Sequence, residues 1–201
     1  MTALIRAELY RTVTIRSSWI SIALFGALAA SFGVLNPYGW ALFAGIGAFG
    51  IAVFTVARHF QHRTAALLYL AQPKRLRVLL AQVITTVLIA WVFTAVTGIT
   101  ALLRDGNGTV YRHTLTVVPV MAVFGAAAAA VVRRASWLLY GFAVWFVVVE
   151  GLLGQMKWPL PISSYLDAAG GNPYGVEVFL VWALGTLAVA ALLLRRDFTT
   201  D

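Results

Sequence analysis

Residues 78–103 read VLLAQVITTVLIAWVFTAVTGITALL, a run of 26 residues without a charged side chain. An α-helix rises 1.5 Å per residue, so this run is about 39 Å long as a helix. The hydrocarbon core of a bilayer is only about 30 Å thick. The stretch therefore predicts a transmembrane helix.

Five further apolar blocks flank this run, and the composition of the whole chain agrees with them. Of its 201 residues, 61% are hydrophobic and 11% are charged, and the mean hydropathy is +0.87. So few polar side chains cannot cover the surface of a soluble domain. We predict one all-α, polytopic membrane domain over residues 1–201, with no room for a soluble catalytic domain. The six predicted spans are residues 19–35, 40–57, 78–103, 115–132, 136–153 and 176–194.

The basic residues divide unevenly between the segments that connect the blocks. With the N-terminus inside, twelve of the fifteen Lys and Arg residues fall on cytoplasmic segments, and only Arg104, Arg112 and Lys157 lie outside. This positive-inside bias predicts that both termini are cytoplasmic. The net charge of +8 then reflects topology and attraction to anionic membrane lipids, and we expect no nucleic-acid partner.

Two segments outside the blocks have patterns of their own. Residues 2–16, TALIRAELYRTVTIR, place Ile5, Leu9 and Val13 on one helical face. This spacing predicts an amphipathic helix along the inner membrane surface. Residues 154–175 are apolar but are broken by Pro and Gly, which favours a re-entrant or interfacial pair of short helices between spans five and six.

Catalytic and metal-binding patterns are sparse. His59 and His62 form the one close histidine pair, with no Asp or Glu near them in the loop, and the chain has no cysteine. A metal site needs three or four convergent ligands. A phosphate-binding G-x-x-x-x-G-K-[ST] loop is also missing. We therefore expect a non-catalytic chain that binds no metal or cofactor itself.

Polar residues inside the spans are the remaining candidates for function. Glu150 is an acidic residue near the outer end of span five, where a carboxylate is costly and is a functional candidate. The alternative is a carboxylate that is hydrogen-bonded to residues 154–175 and caps a helix junction. In span three, one arc of the helical wheel holds Thr86, Thr94, Thr97 and Thr100. These side chains line a pathway or donate to carbonyls of their own helix.

Four motifs in this order resemble the permease subunits of type-2 ATP-binding-cassette (ABC) exporters, in a compact, actinobacterial-looking form. They are AELYRTVTIRSSW at 7–19, RTAALLYLAQPKRLRVLLAQ at 63–82, VWFVVVEGLL at 144–153 and LLLRRD at 192–197. The four motifs follow one another from residue 7 to residue 197 and so extend over nearly the full chain. The family often has a Glu shortly before Thr64 and a Lys early in span three. Here His59, Phe60 and Gln61 occupy the first region and Gln82 the second position.

The resemblance implies an ATP-driven exporter in the bacterial plasma membrane. Two six-span subunits, identical or not, would pair around a lateral pathway, and two copies of a cytoplasmic ABC ATPase would bind ATP and Mg. The ATPases would dock on the amphipathic helix and on the loop between spans two and three. The residues implied in this coupling are Arg6, Glu8, Arg11, Arg63, Thr64, Leu67, Leu68, Pro73, Lys74 and Arg75.

The cargo and the mechanism stay open at this point. A mostly apolar interior with threonines suits a hydrophobic or amphipathic substrate, such as a drug, antibiotic, peptide or lipid. An ATP-independent, ion-coupled transporter is one alternative, although it usually carries several intramembrane acids and an inverted repeat. An intramembrane enzyme and a structural membrane subunit of a larger complex are the others.

Overall fold

The computed structural model describes residues 2–14, 16–61, 75–106 and 108–196. Within these ranges it gives the backbone alone for residues 2–4, 11–13, 16–18, 59–61, 75, 105 and 195–196. All secondary structure in these ranges is helical, which confirms the all-α class. In chain order the helices are α1 (Thr2–Thr14), α2 (Arg16–Leu35), α3 (Pro37–Gln61), α4 (Arg75–Thr97), α5 (Ile99–Asp105), α6 (Thr109–Val132), α7 (Ala135–Val144), a π-helix (Trp145–Leu153) that continues α7, α8 (Pro161–Ala169) and α9 (Pro173–Arg196).

Helices α3 and α6 form the centre of the bundle. α3 packs against α2, α4 and α6, and α6 also packs against α4 and α9. Their contact is close because small residues line it: a Cβ added at Gly125 would lie 3.0 Å from the Phe49 ring. Alanines 126–130 of α6 continue this surface and are buried. Close packing of small residues is the usual way in which membrane helices associate.

Among the described residues, five segments are long and apolar enough to cross a membrane: Pro37–Arg58, Leu76–Arg104, Thr109–Val132, Ala135–Leu153 and Pro173–Leu194. They contain five of the six predicted spans. The first predicted span is also helical, but its apolar part, Trp19–Leu35, has 17 residues. Such a helix is about 26 Å long, which is less than the hydrocarbon core. The chain is therefore a polytopic helical membrane protein by length and composition.

The predicted spans 78–103 and 115–132 leave residues 104–114 as the connection between them. The observed connection is shorter. α5 extends to Asp105 and α6 already begins at Thr109, so the turn is limited to the residues between them. Gly106 and Gly108 both have φ of +62°, a conformation that glycine adopts without steric cost. Two glycines in this conformation reverse the chain tightly, which leaves residues 109–114 free to extend α6.

The segment 154–175 contains one short helix, α8, instead of the expected pair. Most of α8 is buried, and it packs against α3, α6 and α9. Pro161 and Pro173 stand at the first positions of α8 and α9, where the missing N–H of proline costs nothing. At Gly175, an added Cβ would lie 2.6 Å from the Ala168 backbone nitrogen, so α8 and the start of α9 touch backbone to backbone.

Candidate functional site

The Glu150 carboxylate joins the π-helix to the start of α8. Its Oε1 accepts hydrogen bonds from the Trp145 indole N–H at 3.0 Å and from the Ile162 backbone N–H at 3.1 Å. Its Oε2 accepts the Ser163 backbone N–H and the Ser163 hydroxyl, both at 2.6 Å. The residue is fully buried. These residues (145, 150, 162 and 163) are called the Glu150 junction below.

The π-helix explains the pairing of Trp145 with Glu150. These residues are five apart, and an α-helix with 3.6 residues per turn would direct them to different faces. A π-helix closes its backbone bonds at i→i+5, so residues five apart lie above one another. The bond from the Gly154 N–H to the Val149 carbonyl, 2.8 Å, continues this five-residue spacing at the helix end.

The start of α8 explains why an acid is stable in this buried position. The first turns of a helix have unpaired N–H groups and carry the positive end of the helix dipole. Leu160, the residue before α8, has no side-chain oxygen to cap them. Glu150 supplies the missing acceptor from another helix. Four donors fill the four acceptor positions of a carboxylate, so groups of this chain supply all the hydrogen bonds that these oxygens can accept.

Three of the four predicted threonines in span three donate to backbone carbonyls of their own helical segment. Thr86 donates to Val83, Thr97 to Phe93, and Thr100 to Thr97. Thr100 also donates to the Ala30 carbonyl of α2 at 3.0 Å. The Thr94 hydroxyl is fully buried, with no hydrogen-bond partner among the described residues. Whether these side chains line a pathway stays a prediction.

Further buried polar residues were not among the candidate site residues predicted from the sequence. Gln82 and Thr85 lie inside the bundle on α4, and Thr114 is fully buried on α6. The Thr114 hydroxyl, like that of Thr94, has no partner among the described residues. The Tyr111 hydroxyl of α6 donates to Ala95 of α4 at 3.3 Å. No simple pattern marks these positions, because threonine is common in apolar helices.

The residues implied in ATPase coupling fall largely outside the described residues. This holds for six of them, Arg63, Thr64, Leu67, Leu68, Pro73 and Lys74. Arg75 begins α4 and Arg11 lies in α1, and their side chains are not described. Of the other two, Arg6 is exposed and Glu8 is buried.

An apolar cavity of about 710 Å³ lies between α1, α2 and α4. Leu9 of α1 lines it together with Trp19 of α2 and Leu88 of α4. One face of the N-terminal helix thus contributes to the same apolar surface as two long helices. Leu9, which lies on the apolar face predicted for residues 2–16, therefore shares an apolar cavity with two other helices of this chain.

Across the described side chains, no three His, Asp or Glu residues are placed to hold a metal ion. His113 packs its ring against Gly171, far along the chain from the other histidines. In comparisons with known proteins, no family model and no curated protein matches the chain. Its function therefore has to be argued from its own residues.

Proposed function

We propose that this chain is the membrane-spanning permease subunit of an ATP-driven ABC exporter in a bacterial plasma membrane. In this proposal six helices cross the bilayer, α2 among them, both termini are cytoplasmic, and α8 is a re-entrant element at the outer face. A second permease subunit and two ATPase subunits complete the transporter. The cargo is hydrophobic or amphipathic.

The observation that carries the proposal is the position of α1. It packs against both α2 and α4, and α4 is the helix into which residues 62–74 lead. Helix α4 therefore connects the N-terminal helix to residues 62–74, which belong to the second predicted ATPase contact. In the proposal, movement of residues 62–74 by an ATPase is transmitted to α4 and to α1 packed against it. Coupling requires that these contacts differ between two conformations.

The Glu150 junction supports a binding and coupling role over ion coupling. An ion- or proton-carrying carboxylate must exchange partners during transport. Glu150 already has four protein donors and is fully buried. Its geometry suits a fixed joint between the π-helix and α8.

Purification of the tagged chain from its native membrane in nanodiscs tests the proposal. We expect an ABC ATPase to co-purify and ATP to change the conformation of the complex. Replacement of Leu67-Leu68 by Asp-Asp should detach the ATPase while membrane insertion is preserved. The matched control is Leu102-Leu103→Asp-Asp at the opposite end of the bundle. This variant should still co-purify with the ATPase. Purification without an ATPase, together with no response to ATP, would refute the proposal.

A further inference from the structure

An open cleft lies between α6, α7 and α9, and its lining is almost wholly apolar. Its volume is about 680 Å³, within the range of roughly 300–1,000 Å³ that is typical of small-molecule sites. Trp137 of α7 and Trp145, where the π-helix begins, mark the extent of the cleft along this continuous helix, a distance of about 12 Å. Val181–Val189 of α9 form the opposite wall, and Phe124–Val132 of α6 the back.

Two glycines leave this cleft unfilled. A Cβ added at Gly141 of α7 or at Gly185 of α9 would meet no atom within 4 Å. Both residues line the cleft. Glycine inside a helix costs about 1 kcal/mol relative to alanine, and here no contact within the chain requires it. The missing side chains therefore leave room for a group from outside the chain.

The two tryptophans at the far end of the cleft are fixed in orientation. The Trp145 indole N–H donates to Glu150 at 3.0 Å, and the Trp182 indole N–H donates to the Pro159 carbonyl at 3.1 Å. With their polar atoms bound on the protein side, both rings present apolar surface to the cleft. This end suits a hydrocarbon tail and offers little to a polar head.

The opposite end of the cleft is basic. Residues 133 and 134 directly connect α6 to α7, next to the lining residues Val132 and Trp137. The Arg134 side chain is exposed. Arg133 has φ of +60° at the end of α6, a position that normally selects glycine and that strains other residues. Arg133 and Arg134 together place two basic residues at this end of the cleft.

We propose that the cleft binds one anionic glycerophospholipid of the cytoplasmic leaflet. The headgroup phosphate lies at Arg134, and an acyl chain runs along Gly141 and Gly185 toward Trp145 and Trp182. A phospholipid of this leaflet matches both ends of the cleft, since it joins an anionic phosphate to apolar chains; a helix of a second copy is the alternative occupant that the test below distinguishes. The inference uses the orientation proposed above but is independent of the ATPase.

Quenching of tryptophan fluorescence by brominated lipid tests this site. The purified chain alone, without any ATPase, is reconstituted into phosphatidylcholine nanodiscs that contain a small share of acyl-brominated phosphatidylglycerol or acyl-brominated phosphatidylcholine. We expect the anionic lipid to quench at a concentration about fivefold lower, since one arginine near the surface attracts such lipids to this degree. Arg134→Ala should remove the preference, whereas Arg104→Ala at the other end should retain it.

Filling of the cleft gives the second arm of the test. Gly141→Leu with Gly185→Leu should reduce the quenching by the anionic lipid to the level of the zwitterionic one. Ala143→Leu with Ala188→Leu places the same side chains on exposed positions of the same helices outside the cleft and should change nothing. Equal quenching by both lipids in the wild type would overturn the proposal. So would leucine variants at the glycines that change the oligomeric state but not the lipid preference, because the cleft would then hold a second copy. Either result leaves the ATPase proposal untouched.

Discussion

The hydroxyl of Tyr165 donates to the carbonyl oxygen of Ala41 at 2.8 Å and so joins α8 to the start of α3, 124 residues away. The ring fits because the neighbouring α3 residue is glycine: a Cβ at Gly45 would lie 2.5 Å from it. Phe179 of α9 packs edge-on against the same ring at 5.7 Å. Burial raises the pKa of the Tyr165 hydroxyl above its usual value, which keeps it protonated as a donor. Tyr165 therefore holds α8 inside the bundle.

Substitutions at this contact should distinguish the contribution of the hydrogen bond to stability from the contribution of the close packing. Tyr165→Phe should lower the free energy of unfolding by about 1 kcal/mol through the lost bond. Gly45→Ala should cost more, about 1–3 kcal/mol, because its methyl group overlaps the ring. The control Gly185→Ala faces open space and should be neutral or stabilising. Thermal unfolding in detergent, followed by tryptophan fluorescence, measures all three, and equal stability of the two glycine variants would contradict this packing.

Glu150→Gln should destabilise the protein through the Glu150 junction. The glutamine amide has one oxygen acceptor, and its NH₂ group would face the N–H donors of α8. We expect a loss of about 2 kcal/mol or more, since hydrogen bonds to a charged group contribute about 1.5–3 kcal/mol each. Glu177→Gln on the exposed face of α9 is the matched control. Similar melting temperatures for the two variants would show that the junction does not stabilise the fold.

A double-mutant cycle and a transport assay distinguish two roles of Glu150, one in the stability of the helix junction and one in the transport cycle. The costs of Glu150→Gln and Ser163→Ala should be non-additive because the two side chains share a bond of 2.6 Å. Reduced transport in Glu150→Gln at a temperature where the protein stays folded would assign the charge a role in the transport cycle. Normal transport would assign it to the helix junction alone.

Hydropathy predicts the long helices of this chain because lipid imposes a single requirement on all of them, an apolar surface long enough to cross the core. The blocks 40–57 and 176–194 lie inside α3 and α9 for this reason. Their ends are harder to predict. Whether residues 109–114 extend α6 depends on how tightly Gly106 and Gly108 turn, and composition does not determine this.

The site is less predictable than the helices because its geometry depends on a departure from the α-helical period. The sequence indicates Glu150 as a costly intramembrane acid and residues 154–175 as a possible partner. It does not indicate Trp145, because residues five apart meet only in a π-helix. Ser163 is likewise one of two adjacent serines, and only the start of α8 at Pro161 determines which of them faces the carboxylate.

Gly98→Ala should disrupt the end of the bundle where α4 passes into α5. The rings of Trp40 and Tyr111 occupy the space that an added Cβ would need, and they stack at 5.6 Å. Both are also held by hydrogen bonds, Trp40 to Thr97 at 3.3 Å and Tyr111 to Ala95. We expect a loss of about 1–3 kcal/mol, although alanine is the better helix former.

The control for this position is Gly141→Ala, which replaces a helical glycine in open space and should stabilise the isolated chain by up to about 1 kcal/mol. Melting in detergent compares the two directly. If both alanines raised the melting temperature, the aromatic pair would not be packed on Gly98 as the structure has it.

Single cysteines can determine whether α2 crosses the membrane, because the chain has no cysteine of its own. Suitable exposed positions are Thr14, Asn36, Arg104, Ser136 and Asn172. In intact spheroplasts, a membrane-impermeant thiol reagent should label cysteines at 36, 104 and 172, whereas those at 14 and 136 should react only after permeabilisation. This pattern follows from the positive-inside bias together with six crossings. If α2 is too short to cross, the cysteines at 14 and 36 will react from the same side. In that case the N-terminal helix would lie on the outer face, where no cytoplasmic ATPase can reach it, and the proposed docking role of α1 would be wrong.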